Sequence, residues 1–430
     1  MSPSPMTATF TPELSHTVQD QPFGQGRYQP SYLRLLSVSR LSVLIYGKYG
    51  YHVTYRGKTL TIGLAVAALA LAAVAAPAQA QTSDSMPSFN GTVLTIAYAG
   101  KVAYLGGDFT AAIVRGKQVT RSHLAAVDAR TGALLPWAPA ADGRVKALVV
   151  SGGSVFLAGD FGTIGGQKRD SLARVDAARG VVYSTFKHAI NGRPYAIALA
   201  GNRLYLGGAI TAVDGQARAR LAAFNLTTGA LDPTWRPTAD DQVETIATGA
   251  GRVYVGGKFH KINGLSGYDR LVALDPRSAA VVNGFKPQPP VITYALAVDA
   301  DGVYSAHGGH GGRVSAYTPG GQLRWSATFD GDAQAITVLD GVVYAGGHFD
   351  RACSTARTGT QGTCVDGADN RVKLAALAAA DGRLLDWTAD ANGVEGVFAL
   401  ASNSELGSVA MGGAFTAVDG RLQKRFAQFS

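Results

Sequence analysis

Residues 228–259 read TGALDPTWRPTADDQVETIATGAGRVYVGGKF. VETIATG (243–249) and RVYVGG (252–257) are short apolar runs joined by a Gly-bearing turn, the pattern of two paired strands. The preceding Thr-Gly marks another turn, and Trp235 sits between the turn and the first run. After residue 90 no ten-residue stretch carries the 3.6-residue period of an amphipathic helix, so alternating strand–helix units are not expected.

The VYVGGKF phrase recurs on both sides of this stretch. It reads VAYLGGDFTA at 102–111, VFLAGDFGTIGG at 155–166, LYLGGAITAVDG at 204–215, VYVGGKFHKING at 253–264, VYSAHGG at 303–309, VYAGGHFD at 343–350 and VAMGGAFTAVDG at 409–420. The second position of each glycine pair falls at 107, 159, 208, 257, 307, 347 and 413, a repeat of about fifty residues. A second phrase follows most copies, as HLAAVDARTG (123–132), SLARVDAARG (171–180), RLAAFNLTTG (220–229), RLVALDPRSA (270–279) and KLAALAAADG (373–382). It reads as a strand ending in an Asp- or Asn-capped turn, with Gly supplying the positive φ. A third position is aromatic: Trp137, Phe186, Trp235, Phe285, Trp325 and Trp387, with Phe89 as the spare copy ahead of the first glycine pair. The chain ends at RFAQFS (425–430), one strand short of a full unit.

Four short strands per unit cannot bury both faces of a lone sheet, whereas stacking the units around an axis can. The sequence therefore predicts an all-β, seven-bladed β-propeller of four-stranded antiparallel blades. The strand at Phe89 is expected to join the last blade and close the ring, which removes open sheet edges. The aromatic positions are expected to pack between blades, and the paired glycines to let backbones pass closely.

The combined phrase, best seen in 228–259, resembles the delta-60-type β-propeller repeats of secreted bacterial proteins, over roughly residues 87–430. That resemblance implies the fold and no particular activity. A looser similarity is to quinoprotein-type propeller repeats, through AVDARTGALLPW (126–137). The Gly-to-Trp gap is one residue longer here and no vicinal Cys pair occurs, so no quinone or other cofactor is expected.

Residues 59–76, TLTIGLAVAALALAAVAA, form an uncharged apolar run preceded by Arg56 and Lys58 and followed by Ala78-Gln79-Ala80. This is the layout of a cleaved Sec-type signal peptide, about 53–80, and residues 1–80 are read as a leader with translation beginning near Val53. Residues 81–430 are then one propeller domain, secreted or associated with the envelope of a bacterial cell, with no stable membrane insertion after cleavage.

The chain has 39 Lys and Arg against 30 Asp and Glu. The leader holds six of the former and two of the latter, leaving 33 against 28. So small an excess, with no basic run interleaved with aromatics, gives no case for nucleic acid. Gly is 54 of 430, far above the usual ~7%, which suits tight turns and close strands.

Chemistry in such a repeat is expected where the repeat breaks. The fifth unit is shortened to AHGGHGGR (306–313), whose His307, His310 and Arg313 are candidate ligand contacts. Two imidazoles without a third ligand do not make a metal site, and none is predicted. The sixth unit is lengthened by DRACSTARTGTQGTCVDGADN (350–370). Cys353 and Cys364, the only cysteines, are expected to form a disulfide, and Asp366 and Asp369 are further ligand candidates. Asp108, Asp160, Lys258 and His348 lie at matching strand ends and vary in type, which reads as surface decoration. No G-x-S-x-G, H-E-x-x-H or P-loop occurs, so no catalytic residue is assigned. Asp240 and Asp241 are carboxylates that a glycosidase could use if the fold paired them. The expected function is a non-catalytic, monomeric binding module for an unidentified ligand or envelope protein. The alternative is an extracellular carbohydrate-active hydrolase or lyase with an axial pocket.

Overall fold

The structure, a computed structural model, describes residues 86–309 and 311–430, together with the strands Ser42–Ile45, Tyr51–Tyr55 and Lys58–Ile62. The chain divides into two compact units, Met1–Ala72 and Ala73–Ser430. In the first, the three strands form one antiparallel sheet in chain order. The cleavage site expected at Ala80 and most of the apolar run before it lie outside the described residues. Among the described residues no helix is long and apolar enough to cross a membrane.

The second unit is all-β, a succession of small antiparallel sheets in a propeller-type fold. Its first sheet orders Val93–Ala99, Val102–Gly107 and Leu124–Asp128, and the order recurs down the chain to Val397–Asn403, Ser408–Gly413 and Phe426–Phe429. The first strand of each sheet packs against the first strand of the next, and Val397–Asn403 packs against Val93–Ala99.

The glycine pair has two separate jobs. A Cβ on Gly256 would lie 2.6 Å from Thr293 of the following sheet, so the first glycine sets how closely sheets stack. A Cβ on Gly257 would lie 2.2 Å from the carbonyl oxygen of Gln242, so the second lets the neighbouring strand approach. Neither glycine has a positive φ. The first encounter recurs at Gly346 with Val397 and at Gly412 with Val93, and the second at Gly347 with the carbonyl of Asp332 and at Gly413 with that of Gly396.

The aromatic position packs between sheets, as expected. Trp137, Trp235 and Trp325 donate their indole N–H to carbonyls of the following unit, those of Asp176, Asp275 and Ala379. Each also meets an aromatic of its own sheet, Tyr104, Tyr205 and Tyr304. The Asx turns form as read: Asp128 accepts from the N–H groups of Arg130 and Thr131, with Gly132 at φ 71°. Where the phrase ends in Ala279 instead, that residue takes φ 61° itself.

Two expectations are revised. The fourth strand is mostly reduced to a single bridge, such as Val127 to Leu134 or Phe224 to Leu231. Among the described residues only the fifth repeat has a full fourth strand, Leu323–Thr328. Phe89 is also placed differently. Ser88–Phe89 pairs with Ala112 and Ile113 of the first repeat's outer hairpin, not with the last sheet. It occupies the register of Ala141 and Ala239, which bridge to Ile164 and Ile262 of the following hairpins. Ala141 donates its N–H to Ser122 and Ala239 to Ala219; Phe89 makes the matching bond to the carbonyl of Lys424, 3.1 Å away.

Candidate functional site

Each first strand carries a β-bulge near its start, beside the glycine pair. A bulge leaves one residue out of the ladder and re-aims its side chain. The residues left out are Leu94, Lys146, Tyr195, Glu244, Tyr294, Gln334 and Phe398, all half-buried. Their backbone setting repeats while their side chains do not.

Neighbours in this row touch. The Lys146 ammonium lies 4.4 Å from the centre of the Tyr195 ring and 2.8 Å from Asp160. Glu244 pairs with Lys258 at 3.3 Å and accepts from the Gln242 amide at 2.6 Å. Burial, then the charges of Asp332 and Glu244, raise the Tyr294 hydroxyl above its ordinary pKa, keeping it a hydrogen-bond donor. Asp332 accepts from the Gly309 N–H at 2.8 Å and lies 4.0 Å from His348. The side-chain oxygen of Gln334 is buried without a partner. Asp160, Lys258 and His348 are each at least a third exposed, as expected, and each also approaches this row or its carboxylate neighbour. The row was missed in the sequence, yet it had a signal. It lies thirteen residues before the second marker position in six copies, as 94 is to 107, and fifteen in the last, 398 to 413.

Most other charged groups at this end are structural. Asp240 accepts from the N–H groups of His260 and Lys261, clamping the loop to the following hairpin. Asp142, Asp330, Asn90 and Asn392 make the same pair of bonds. Burial works against ionisation of Asp240, but the donated N–H groups outweigh it and hold the carboxyl below its ordinary pKa. Asp240 thus serves as a clamp. Likewise Arg121, Arg169, Arg218 and Arg371 each donate to a carbonyl of their own fourth segment, those of Leu135, Tyr183, Asp232 and Leu385. Part of the positive charge is consumed inside the fold.

The predicted ligand residues separate. His307 lies within Val303–Gly308 and is fully buried, its ring nitrogens 3.2 Å from Thr293 Oγ1 and 2.7 Å from Ser305 Oγ. Burial, then the charge of Arg313, pushes it down to about 3, so the ring is neutral. Arg313 pairs with it in register on the next strand. His310 lies outside the described residues. Cys353 and Cys364 form the disulfide, with Cα atoms 5.1 Å apart. Asp366 is held by Thr355 at 2.6 Å and Arg357 at 3.1 Å, while Asp369 is exposed on the strand Ala368–Asn370. Among the described residues no group of three or more His, Cys, Asp or Glu is placed to hold a metal ion.

The structure does bring the two irregular repeats together. The fifth passes straight from Val303–Gly308 to Arg313–Tyr317 without the usual outer hairpin. The sixth repeat's insertion lies against that short turn. A Cβ on Gly311 would meet Thr358 at 3.1 Å and Gly362 at 3.3 Å.

Comparison with known proteins agrees with the fold. The family model described as outer membrane protein assembly factor BamB matches residues 71–282. No curated protein matches the chain. Among solved structures, the WD40 β-propeller domain of Doa1 superposes with a TM-score of 0.51 at 10% identity, covering 82% of this chain and 96% of that one. The computationally designed Ika8 protein gives a TM-score of 0.44 at 15% identity, covering 80% and 98%.

Proposed function

We propose that this chain is an exported, monomeric, seven-bladed propeller that acts without catalysis, as a binding module for a ligand or protein partner at the cell envelope or outside the cell. Closure of the ring is supported by the Phe89-to-Lys424 hydrogen bond and by Gly412 against Val93, which repeat links found between consecutive blades. The name of the matched family, an assembly factor for outer membrane proteins, supports an envelope role, and the delta-60-type repeat phrase supports export.

The observation that carries the binding role is the bulge row. Positions that hold a repeat together recur in kind, as the glycines, clamps and aromatics do here. At the bulge the backbone geometry recurs and the side chains differ: a cation, a carboxylate, two tyrosines, an amide and two apolar groups. Tyrosines beside a few placed polar groups suit recognition of a specific surface or small ligand. The enzymatic alternative rests on Glu244 and Asp332, whose charges both act on Tyr294.

The test is binding of the exported chain to envelope-protein extracts and to a glycan panel, before and after joint substitution of Lys146, Tyr195 and Tyr294 by Ala. Binding lost at unchanged Tm supports the reading. Binding untouched by the triple variant overturns it. Turnover of a glycan that stops in both Glu244→Gln and Asp332→Asn would move the assignment to the enzyme. N-terminal sequencing of the exported protein is expected to begin at Gln81.

A further inference from the structure

A cavity of about 460 Å³ lies under the sixth repeat's disulfide hairpin and against the outer strand of the fifth repeat. Its volume is in the range of small-ligand sites. Ser326, Thr328, Ser354, Thr355 and Asp369 line it, with Ala352 and Leu384 as apolar surface. The hydroxyl of Thr328 has no hydrogen-bond partner, although the residue is only 4% exposed. A buried hydroxyl left unpaired is costly, and Thr328, which lines the cavity, can turn it toward a donor or acceptor arriving there. Neither lysine, arginine nor histidine lines the cavity, so nothing there favours an anion. The carboxylate of Asp369 would accept from donors on a ligand.

From this geometry we infer that the cavity binds a neutral sugar residue. A pyranose offers hydroxyls that both donate and accept, matching Thr328, Ser354 and Asp369, and C–H faces that fit against Ala352 and Leu384. A lone carboxylate at an exposed rim would hold a cationic amine weakly by comparison. Cys353 is itself in the wall, and its bond to Cys364 fixes the hairpin carrying Ser354 and Thr355. Sugar binding therefore depends on the disulfide. This inference deepens the binding-module reading and rests on it, naming a ligand class at a place away from the bulge row.

The experiment is calorimetric titration of the full chain with glucose, galactose, N-acetylglucosamine and, separately, a diamine. At least one sugar is expected to bind, with affinity falling tenfold or more in Thr328→Val and in Asp369→Asn at unchanged or higher Tm. Affinity should also fall on reduction of the disulfide. Sugar binding unchanged in both variants overturns the site. So does binding of the diamine alone, or of no sugar while the bulge-row variant still abolishes partner binding. In that last case the binding-module reading stands, whereas it fails if the bulge-row variant also has no effect on any partner.

Discussion

Gly311, in the shortened turn of the fifth repeat, is packed against Gly362 of the sixth repeat's insertion, with room for no side chain beyond a small one between them. The residues missing from one repeat are thus replaced by residues added to the next. The insertion's only covalent restraint is the Cys353–Cys364 bond, which spans 11 positions. Replacing both cysteines by Ala is expected to cost about 2–3 kcal/mol, the chain-entropy value for so short a loop. Urea unfolding measures this. Because the insertion covers Gly311, hydrogen exchange at Gly311 and Gly312 should also rise, and exchange rising only within 353–364 would show that the cover is not held by the bridge.

The Asp clamps give a prediction of a different kind. Asp240→Ala removes the acceptor for the N–H groups of His260 and Lys261, which water can replace at this exposed site, and should destabilise by roughly 0.5–1.5 kcal/mol. Asp240→Asn should be nearly silent at neutral pH, because Asn90 and Asn392 do the same work in their own repeats. The folded state lowers the pKa of Asp142 and Asp240, so their contribution is present above the ordinary carboxylate value. It is lost as pH falls through the folded value. The acid arm of the stability curve should flatten in Asp142→Asn/Asp240→Asn, and an unchanged arm would exclude the clamps as its source.

How far the sequence revealed the protein follows from what repeats. The glycine pair, the Asx turn and the interleaved aromatic are local and recur, so period and fold type could be read from them. Phe89 shows the limit. An aromatic near the expected place was matched to Trp137, but hydrogen-bond register sets it beside Ala141, four residues later. The bulge row was hidden for the opposite reason, since its side chains share no type and only the ladder exposes the shared geometry. His307 was read as a loop ligand because Gly-rich flanks suggest a turn. In the fold it occupies a glycine-pair position inside a strand, where it is paired to Thr293 and Ser305.

Closure of the ring can be tested by glycine. A Cβ on Gly412 would lie 2.6 Å from Val93, as one on Gly346 would lie 2.5 Å from Val397. Overpacking of this kind typically costs about 1–3 kcal/mol. Gly412→Ala and Gly346→Ala should therefore lose similar stability in parallel denaturant titrations. A silent Gly412→Ala beside a damaging Gly346→Ala would mean that the first and last repeats do not pack as consecutive ones do.

His307 is held near a pKa of about 3 in the folded chain by burial and by Arg313, whereas an unfolded histidine titrates near 6.5. Below about 6.5 the unfolded chain takes up a proton that the folded chain refuses, so acid favours unfolding. Stability from this residue is complete above about pH 7 and falls by up to ~1.4 kcal/mol per pH unit down to about 3, where the folded ring also protonates. The window from pH 4.5 to 6.5 lies above the range where the clamps Asp142 and Asp240 titrate. His307→Gln keeps a polar group toward Thr293 and Ser305 without a titrating ring. Its unfolding free energy should be lower at pH 7 but flatter through that window. A wild-type slope that survives in His307→Gln would assign the acid sensitivity to other groups.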